Sequence, residues 1–319
     1  MRAVMLALAT VVAVPMFGID RLMPSPLQAA EQVAEIVARA REALGGEQRL
    51  ASLTALTAQG PFRRTMGPRE MEGTITLTLG VPGHKIRHEE DLELPGGAGV
   101  TRLAGMNGDH AWEDNANRGG MGGGQIMIRM AGPGGGDREP DPEMIRQMQQ
   151  RRLTAMYERM TLALLASADD LTHAGVAEVG DGKADVLEKQ DAAGRPVRLF
   201  ISQATHLPIA ISYMEVRPRM MIQGGPGGPG GPGGPRGPRG PGGPGGPPPD
   251  AEAMRERMQA EGPPPPSTVI MRLEDHRDVN GLKLPHLIVQ TVDGKPTEEW
   301  TISKYQVNPR LKADLFDKK

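Results

Sequence analysis

The chain has 319 residues, a formal net charge of −2, and only 2 Trp, 3 Tyr and 4 Phe. This charge gives no electrostatic attraction for nucleic acid, and so few rings argue against a surface that stacks on bases. Cysteine is absent, which excludes disulfides, thiolate metal sites and cysteine nucleophiles and is compatible with an oxidising compartment. The 43 Gly and 30 Pro are concentrated in a few stretches, and roughly 220–240 residues remain outside these stretches, enough for one β-rich domain.

The N-terminus has the order of a secretory signal peptide. Met1 and Arg2 give a short basic start, residues 3–19 form an apolar run, and small residues follow as far as Ala29 and Ala30. This order predicts a signal peptide over residues 1–29, with cleavage after Ala29 or Ala30 and export of the remaining chain. The alternative is an uncleaved anchor in the inner membrane, because the apolar run is at the short limit for spanning a bilayer.

Two helices are predicted from apolar residues that recur with the helical period. The first covers residues 30–44, and Gly45-Gly46 ends it. The second covers residues 141–166, with Asp141 as N-cap and Pro142 in the first helical position. Its predicted apolar stripe consists of Ile145, Met148, Leu153, Met156, Met160 and Leu164.

Alternating apolar and polar residues predict antiparallel strands in most of the remaining chain. The predicted strands cover residues 71–79, 85–94, 100–106, 110–114, 174–179, 184–189, 197–202, 207–216, 268–279, 282–292 and 298–307. Asn280-Gly281 between two alternating runs is the strongest of the hairpin signals, and Asp293-Gly294 is another. Antiparallel strands with helices set against one face predict an α+β fold with a strongly curved sheet, as an open or closed barrel.

Two Gly-rich segments interrupt this predicted domain of residues 30–319. One is a loop at 116–140, and the other is a Gly/Pro-rich, low-complexity insertion at 217–266. Residues 225–248 form Gly-Pro-X triplets, for which a triple helix and a solvated polyproline-like loop are the alternatives. The Gly at most X positions and the place between two strands favour the disordered loop.

Five segments, in order along the chain, resemble the outer-membrane lipoprotein-sorting (LolA/LolB-like) superfamily of Gram-negative bacteria. They are Ala-Leu-Gly-Gly-Glu-Gln-Arg-Leu at 43–50 with its continuation to residue 60, Met-Asn-Gly-Asp-His-Ala-Trp at 106–112, and the segments 199–208, 275–285 and 307–316. The resemblance implies a half-open β-barrel with helices covering its mouth, which carries acyl chains through the periplasm in an apolar cavity. The helices at 30–44 and 141–166 are then the candidate lid.

The resemblance and the strand alternation together predict which side chains line such a cavity. The expected lining consists of Ile75, Leu77, Leu79, Trp112, Met148, Met156, Met160, Val197, Leu199, Ile201, Ile209, Ile211 and Trp300. For the two tryptophans and the helical methionines, the alternative is an ordinary place in the core. The predicted ligand is a lipid, an acyl chain or a lipoprotein.

The sequence contains little that predicts catalysis or a metal site. Adjacent acids at Glu89/Glu90, Asp169/Asp170 and Glu298/Glu299 point to opposite faces of a strand and are interpreted as solvated rims. His84 and His88 would lie roughly 13 Å apart along a strand, too far to share a metal. No nucleophile motif is present, so no enzyme activity, cofactor or metal is predicted.

Two other functions stay open. The first is an envelope scaffold that binds a protein partner through its Gly-Pro-rich arm. The second is a periplasmic copper-binding protein, because thioethers suit Cu(I) and 20 Met are present. The pairs considered for copper are Met127/Met130, Met144/Met148, Met156/Met160, Met220/Met221 and Met254/Met258.

Overall fold

The computed structural model describes residues 26–66, 69–93, 99–118, 141–180, 182–216 and 265–318. Within these residues there are helices α1 (Pro26–Leu44), α2 (Glu47–Ala51) and α3 (Pro142–Ala163). Most of the predicted signal peptide, the loop at 119–140 and the insertion at 217–264 lie outside the described residues. None of the helices in the described ranges is long and apolar enough to cross a bilayer.

The strands form one antiparallel sheet. They are β1 (Ala55–Met66), β2 (Arg69–Gly80), β3 (Lys85–Glu93), β4 (Gly99–Asn107), β5 (His110–Arg118), β6 (Thr172–Val179), β7 (Gly182–Gln190), β8 (Pro196–Ser202), β9 (Pro208–Glu215), β10 (Ser267–Val279), β11 (Leu282–Val292), β12 (Lys295–Thr301) and β13 (Lys304–Val307). Their order is β5-β4-β3-β2-β1-β12-β11-β10-β9-β8-β7-β6, and β13 also pairs with β1. In the described part of the chain β5 and β6 are therefore free edges, and the predicted open antiparallel sheet with few helices is confirmed.

The tight turns form where the sequence predicts them. Asn280 and Gly281, with φ of 54° and 84°, join β10 to β11, and Asp293 and Gly294, with φ of 48° and 79°, join β11 to β12. Asn, Asp and Gly tolerate positive φ, which a two-residue hairpin turn of this kind requires. These turns fix the register that brings the apolar residues of neighbouring strands onto one face.

Helices α1 and α3 pack on that face, which we call the inner face. Helix α3 contacts β3, β4 and β5 on one half of the sheet and β9 on the other, while α1 contacts β6 and β11. One core cluster includes inner-face residues of both halves together with both helices. Contacts from one helix to strands so far apart in the sheet order indicate that the sheet curves around α3.

The buried stripe of α3 is shifted from the predicted one. Leu153, Tyr157 and Met160 are buried with the helical period, but Met148 is 38% exposed and Met144 more so. Further along the helix, the amide of Gln150 donates to the carbonyl of Gly108 at 3.2 Å. The first turns of the helix, although capped at Asp141 as predicted, therefore lie outside the core.

The sheet differs from the predicted one at two points: it contains a strand that the sequence pattern does not predict, and one predicted strand is two separate strands. Strand β1 pairs with β2, β12 and β13, and the last predicted strand is two strands, β12 and β13. The segment between these two crosses close to Gly60, where an added Cβ would lie 1.9 Å from the carbonyl oxygen of Thr301. Glycine at this point of β1 thus permits both strands to pair with it.

Candidate functional site

A small apolar cavity lies between the inner face and the helices. Its volume is about 50 Å³, room for a few water molecules. The lining comes from α1, the C-terminal turn of α3 and its cap, and strands β1, β2 and β10–β13. It consists of Leu44, Leu56, Ala58, Leu77, Leu79, Met160, Ala163, Leu164, Leu273, His276, Lys283, Leu284, Pro285, Ile288, Trp300, Ile302 and Tyr305. His276 and Lys283 are the only ionisable members besides Tyr305, whose hydroxyl donates to the carbonyl of Pro285 at 2.5 Å.

The structure brings four of the predicted lining residues to this cavity. These are Leu77, Leu79, Met160 and Trp300. Five others are packed in the same core without reaching the cavity: Ile75, Val197, Leu199, Ile201 and Ile211. Met156 packs against the core from α3, and contact of any of these side chains with a ligand stays a prediction.

Trp112 lies on the outer face of the sheet, because it occupies the outward-facing alternate position of its strand. It pairs with Gly105, and Gly105 pairs with Arg87, whereas the inner-face residues of β3 and β4 occupy the alternate positions. The indole Nε1 donates to the carbonyl of Phe316 at 2.8 Å. Trp112 thus anchors the C-terminal segment on the outer face, and Met148 is exposed to solvent, so neither faces the cavity.

A buried group of charges lies on the inner face beside the cavity. Arg64 of β1 donates to both oxygens of Glu90 of β3, at 2.6 and 3.0 Å, and to both oxygens of Glu298 of β12, at 2.8 and 2.9 Å. The side chains of Arg64, Glu90 and Glu298 are 18%, 6% and 12% exposed. Removing charges from water is costly, and paired charges of this kind remain ionised because their hydrogen bonds are satisfied.

Two aromatic side chains close this group into a ring of contacts, which we call the polar ring: Arg64, Glu90, His88, Trp300 and Glu298. The indole Nε1 of Trp300 donates to Glu298 at 2.5 Å. The imidazole of His88 stacks on Trp300 with ring centroids 6.2 Å apart, and its Nε2 lies 3.5 Å from Glu90. Trp300 belongs to both the polar ring and the cavity wall.

Burial and pairing shift the proton affinities of the polar ring. Burial opposes ionisation of Glu90, but the hydrogen bond from Arg64 and the neighbouring positive charges together outweigh it and hold the pKa of Glu90 below its ordinary value. Burial also opposes the charge of Arg64, yet its bonds to Glu90 and Glu298 raise the pKa of the guanidinium. Burial lowers the pKa of His88. Pairing therefore favours the charged forms of Arg64 and Glu90, whereas burial favours the neutral imidazole of His88.

The interpretation of the acid pairs as solvated rims is wrong for Glu90 and Glu298. Adjacent acids do point to opposite faces, as alternation requires: Glu299 pairs with the exposed Arg63 on the outer face, and Glu298 pairs with Arg64 on the inner face. Asp169 and Asp170, in contrast, lie in a turn and are both exposed. In the Glu89/Glu90 and Glu298/Glu299 pairs one acid faces the core because its strand carries apolar residues at the same parity, such as Trp300 beside Glu298. That parity is the sequence signal that could have identified them.

The described residues contain no group of three or more His, Asp or Glu side chains that could hold a metal ion. Of the methionine pairs considered for copper, Met144 and Met148 are exposed, and Met156 and Met160 pack in or against the core. Met127/Met130, Met220/Met221 and Met254/Met258 lie outside the described residues. His84 lies in the turn before β3, with φ of 50°, and not on the strand as predicted; it contacts the ring of Tyr157, whereas His88 belongs to the polar ring.

Comparison with solved structures finds several similar chains at low sequence identity. A LolA superfamily protein from Nitrosomonas europaea is 12% identical, with a TM-score of 0.42 over 90% of this chain and 97% of that one. A DUF1329 family protein from Desulfovibrio piger is 8% identical, with a TM-score of 0.43 over 91% and 97% of the two chains. No family model and no curated protein matches the chain.

A more distant similarity is to the MucA/MucB complex of Pseudomonas aeruginosa. It is 13% identical, with a TM-score of 0.19 over 84% of this chain and 92% of that one. All three TM-scores are below 0.5.

Proposed function

We propose that the chain is a non-enzymatic, exported protein that binds a lipid or another apolar ligand between the inner face of the sheet and helices α1 and α3. The observation that carries the proposal is the apolar cavity at this junction. A cavity lined mostly by Leu, Ile, Met and Ala side chains offers few hydrogen bonds to a polar solute. Each methylene of an acyl chain that is buried there contributes about 0.8 kcal/mol of favourable binding free energy. A periplasmic role in lipid or lipoprotein trafficking is the corresponding biological function.

The cavity has to enlarge to admit such a ligand, because bound small molecules usually occupy sites of roughly 300–1,000 Å³. Helix α1 is the element best suited to move. Only Ala40 and Leu44 of this helix are buried, and most of its remaining side chains are exposed. Arg41 links it to the turn that follows α3, donating to the carbonyl of Leu165 at 3.0 and 3.3 Å.

Helix α3 is held much more firmly and forms the fixed wall. Tyr157 donates to the carbonyl of Gly80 at 3.2 Å, and Gln150 donates to that of Gly108. Leu153 and Leu162 are buried in the core. A ligand that displaces α1 therefore replaces a few apolar contacts of that helix with its own, while α3 and the sheet stay in place.

Binding of the neutral fluorescent probe N-phenyl-1-naphthylamine and of a fluorescent fatty acid tests the proposal. Ala163→Met should fill the cavity and weaken the binding of both probes, because Ala163 lines it. Ala111→Met is the matched control, since Ala111 is also a partly buried alanine packed against the core but lies away from the cavity. Equal binding by the two variants would place the ligand elsewhere.

A chain that binds neither probe would leave the scaffold function as the better explanation. Deletion of residues 224–248 separates the two possibilities, because a carrier keeps its ligand without this segment, whereas a scaffold that binds through it loses its partner. Export is tested independently by cell fractionation and by the mass of the mature protein, which should correspond to cleavage after Ala29 or Ala30.

A further inference from the structure

The polar ring contains a buried nitrogen without a partner. Within the described residues, Nε2 of His88 is buried and has no hydrogen-bond partner, although Glu90 lies 3.5 Å from it. Buried polar atoms are nearly always hydrogen-bonded, so one that is not requires an explanation. A proton on this nitrogen would make it a donor directed at a carboxylate, because an imidazolium donates from both ring nitrogens.

The charges that face His88 come from four elements. Glu90 of its own strand and Glu298 of β12 attract a proton to the imidazole, while Arg64 of β1 and Arg152 of α3 oppose it. Arg152 is itself paired with Glu113 of β5 at 3.0 Å. The attraction and repulsion partly offset each other, so burial dominates and the imidazole takes up its proton only in acidic medium.

Protonation would redistribute the bonds of the polar ring. Glu90 is already engaged by Arg64, and an imidazolium would compete with Arg64 for the same oxygens. Arg64 would then depend more on Glu298, which is also the acceptor of Trp300. Trp300 is both the last member of this chain of bonds and the side chain on which His88 stacks.

We propose that His88 is a proton-operated switch of the cavity wall. In acidic medium the imidazolium bonds to Glu90, Trp300 leaves its position in the wall, and the cavity binds apolar ligands less tightly. This regulation depends on the proposed ligand-binding function, since it concerns the same cavity. By linkage, a bound ligand that requires Trp300 in place must in turn hold His88 in its neutral form.

The movement of Trp300 is measurable without any ligand. In full-length protein with Trp112→Phe, Trp300 is the remaining tryptophan, and its emission should change as the pH is lowered below 6.5, within the range where far-UV circular dichroism stays native. The change should vanish when His88→Gln is added and persist when His110→Gln, at an exposed histidine, is added instead. His88→Phe, which keeps a stacked ring without a titrating nitrogen, should behave like His88→Gln.

Ligand binding supplies the second measurement. N-phenyl-1-naphthylamine stays uncharged over this pH range, and its affinity should fall roughly fivefold or more on acidification in wild-type protein. It should fall much less in His88→Gln, where the remaining titrating imidazole of the cavity wall is that of His276, whose pKa is also lowered by burial. A pH-dependent emission of Trp300 without any probe binding would retain the switch and reject the ligand-binding function. If the pH dependence of probe binding and of Trp300 emission is the same in wild-type protein and in His88→Gln, His88 is not the switch. The ligand-binding function would be retained in that case.

Discussion

Arg64 donates to both carboxylate oxygens of Glu298, from Nε at 2.9 Å and from Nη2 at 2.8 Å. Glu298→Gln should therefore lower the free energy of unfolding by about 2 kcal/mol, because a buried hydrogen bond to a charged group is replaced by a weaker one to a neutral amide. Urea denaturation measures the effect. Glu299→Gln is the matched control on the outer face, where Arg63 and Glu299 are 54% and 35% exposed, and it should change stability little. Equal losses in both variants would contradict the burial of Glu298.

Stability should fall on acidification in two stages. The pKa of His88 is below its ordinary value of 6.5 in the folded protein, so between 6.5 and the folded pKa only the unfolded chain takes up this proton. The slope is at most about 1.4 kcal/mol per pH unit for one proton. Glu90, with a folded pKa below 4.5, adds a second loss as the pH falls below that value. Denaturation midpoints at a series of pH values should show a smaller first stage in His88→Gln than in wild-type protein, and the remainder belongs to His276, whose pKa burial also lowers.

Asn308 joins segments that are far apart in the chain. Its side-chain oxygen accepts from the backbone nitrogens of Thr54 and Ala55 at 2.7 and 3.2 Å, its amide donates to the carbonyl of Ser52 at 3.0 Å, and its φ is 51°. Asn308→Ala should be less stable than Asn308→Gly by about 1 kcal/mol, because both lose the side-chain bonds but only alanine is strained at positive φ. Thermal unfolding of the two variants measures this difference, and a more stable alanine variant would contradict the backbone conformation.

Gly105 leaves room for the indole that anchors the C-terminal segment. A Cβ added to Gly105 would lie 2.5 Å from ring carbons of Trp112. Gly105→Ala should displace this ring, break its bond to the carbonyl of Phe316 and cost about 1–3 kcal/mol. The emission of Trp112 and digestion by carboxypeptidase should both report release of the C-terminus. Gly182→Ala, where nothing lies within 4 Å of the added Cβ, should retain a native C-terminus.

The hairpins and helices were predictable because their signals are local. Positive φ at Asn280 and Gly281 follows from residue type alone, and the cap of α3 follows from Asp141-Pro142. Strand β1 gives a weak signal since its inner positions include the small residues Ala58 and Gly60, and at Gly60 a neighbouring chain segment approaches closely. That approach is a long-range property, and the local pattern of β1 contains no trace of it.

The polar ring was not predictable for a related reason. Alternation correctly separates Glu298 from Glu299, but nothing local shows that β3 and β12 lie on either side of the β1–β2 pair. Only this strand order brings Glu90 and Glu298 to the same guanidinium. The cavity was predictable in part, because Leu77 and Leu79 follow from parity, whereas the outward placement of Trp112 follows from the register in which β5 pairs with β4.

The two free edges of the sheet have a mechanical consequence. Among the described strands, β5 and β6 end the sheet without pairing to each other, so the distance between them can change while every ladder of backbone hydrogen bonds stays intact. A closed barrel has a radius fixed by its strand number and shear. The curvature of an open sheet is not fixed in this way. A change in curvature could accommodate ligands of different width without local unfolding.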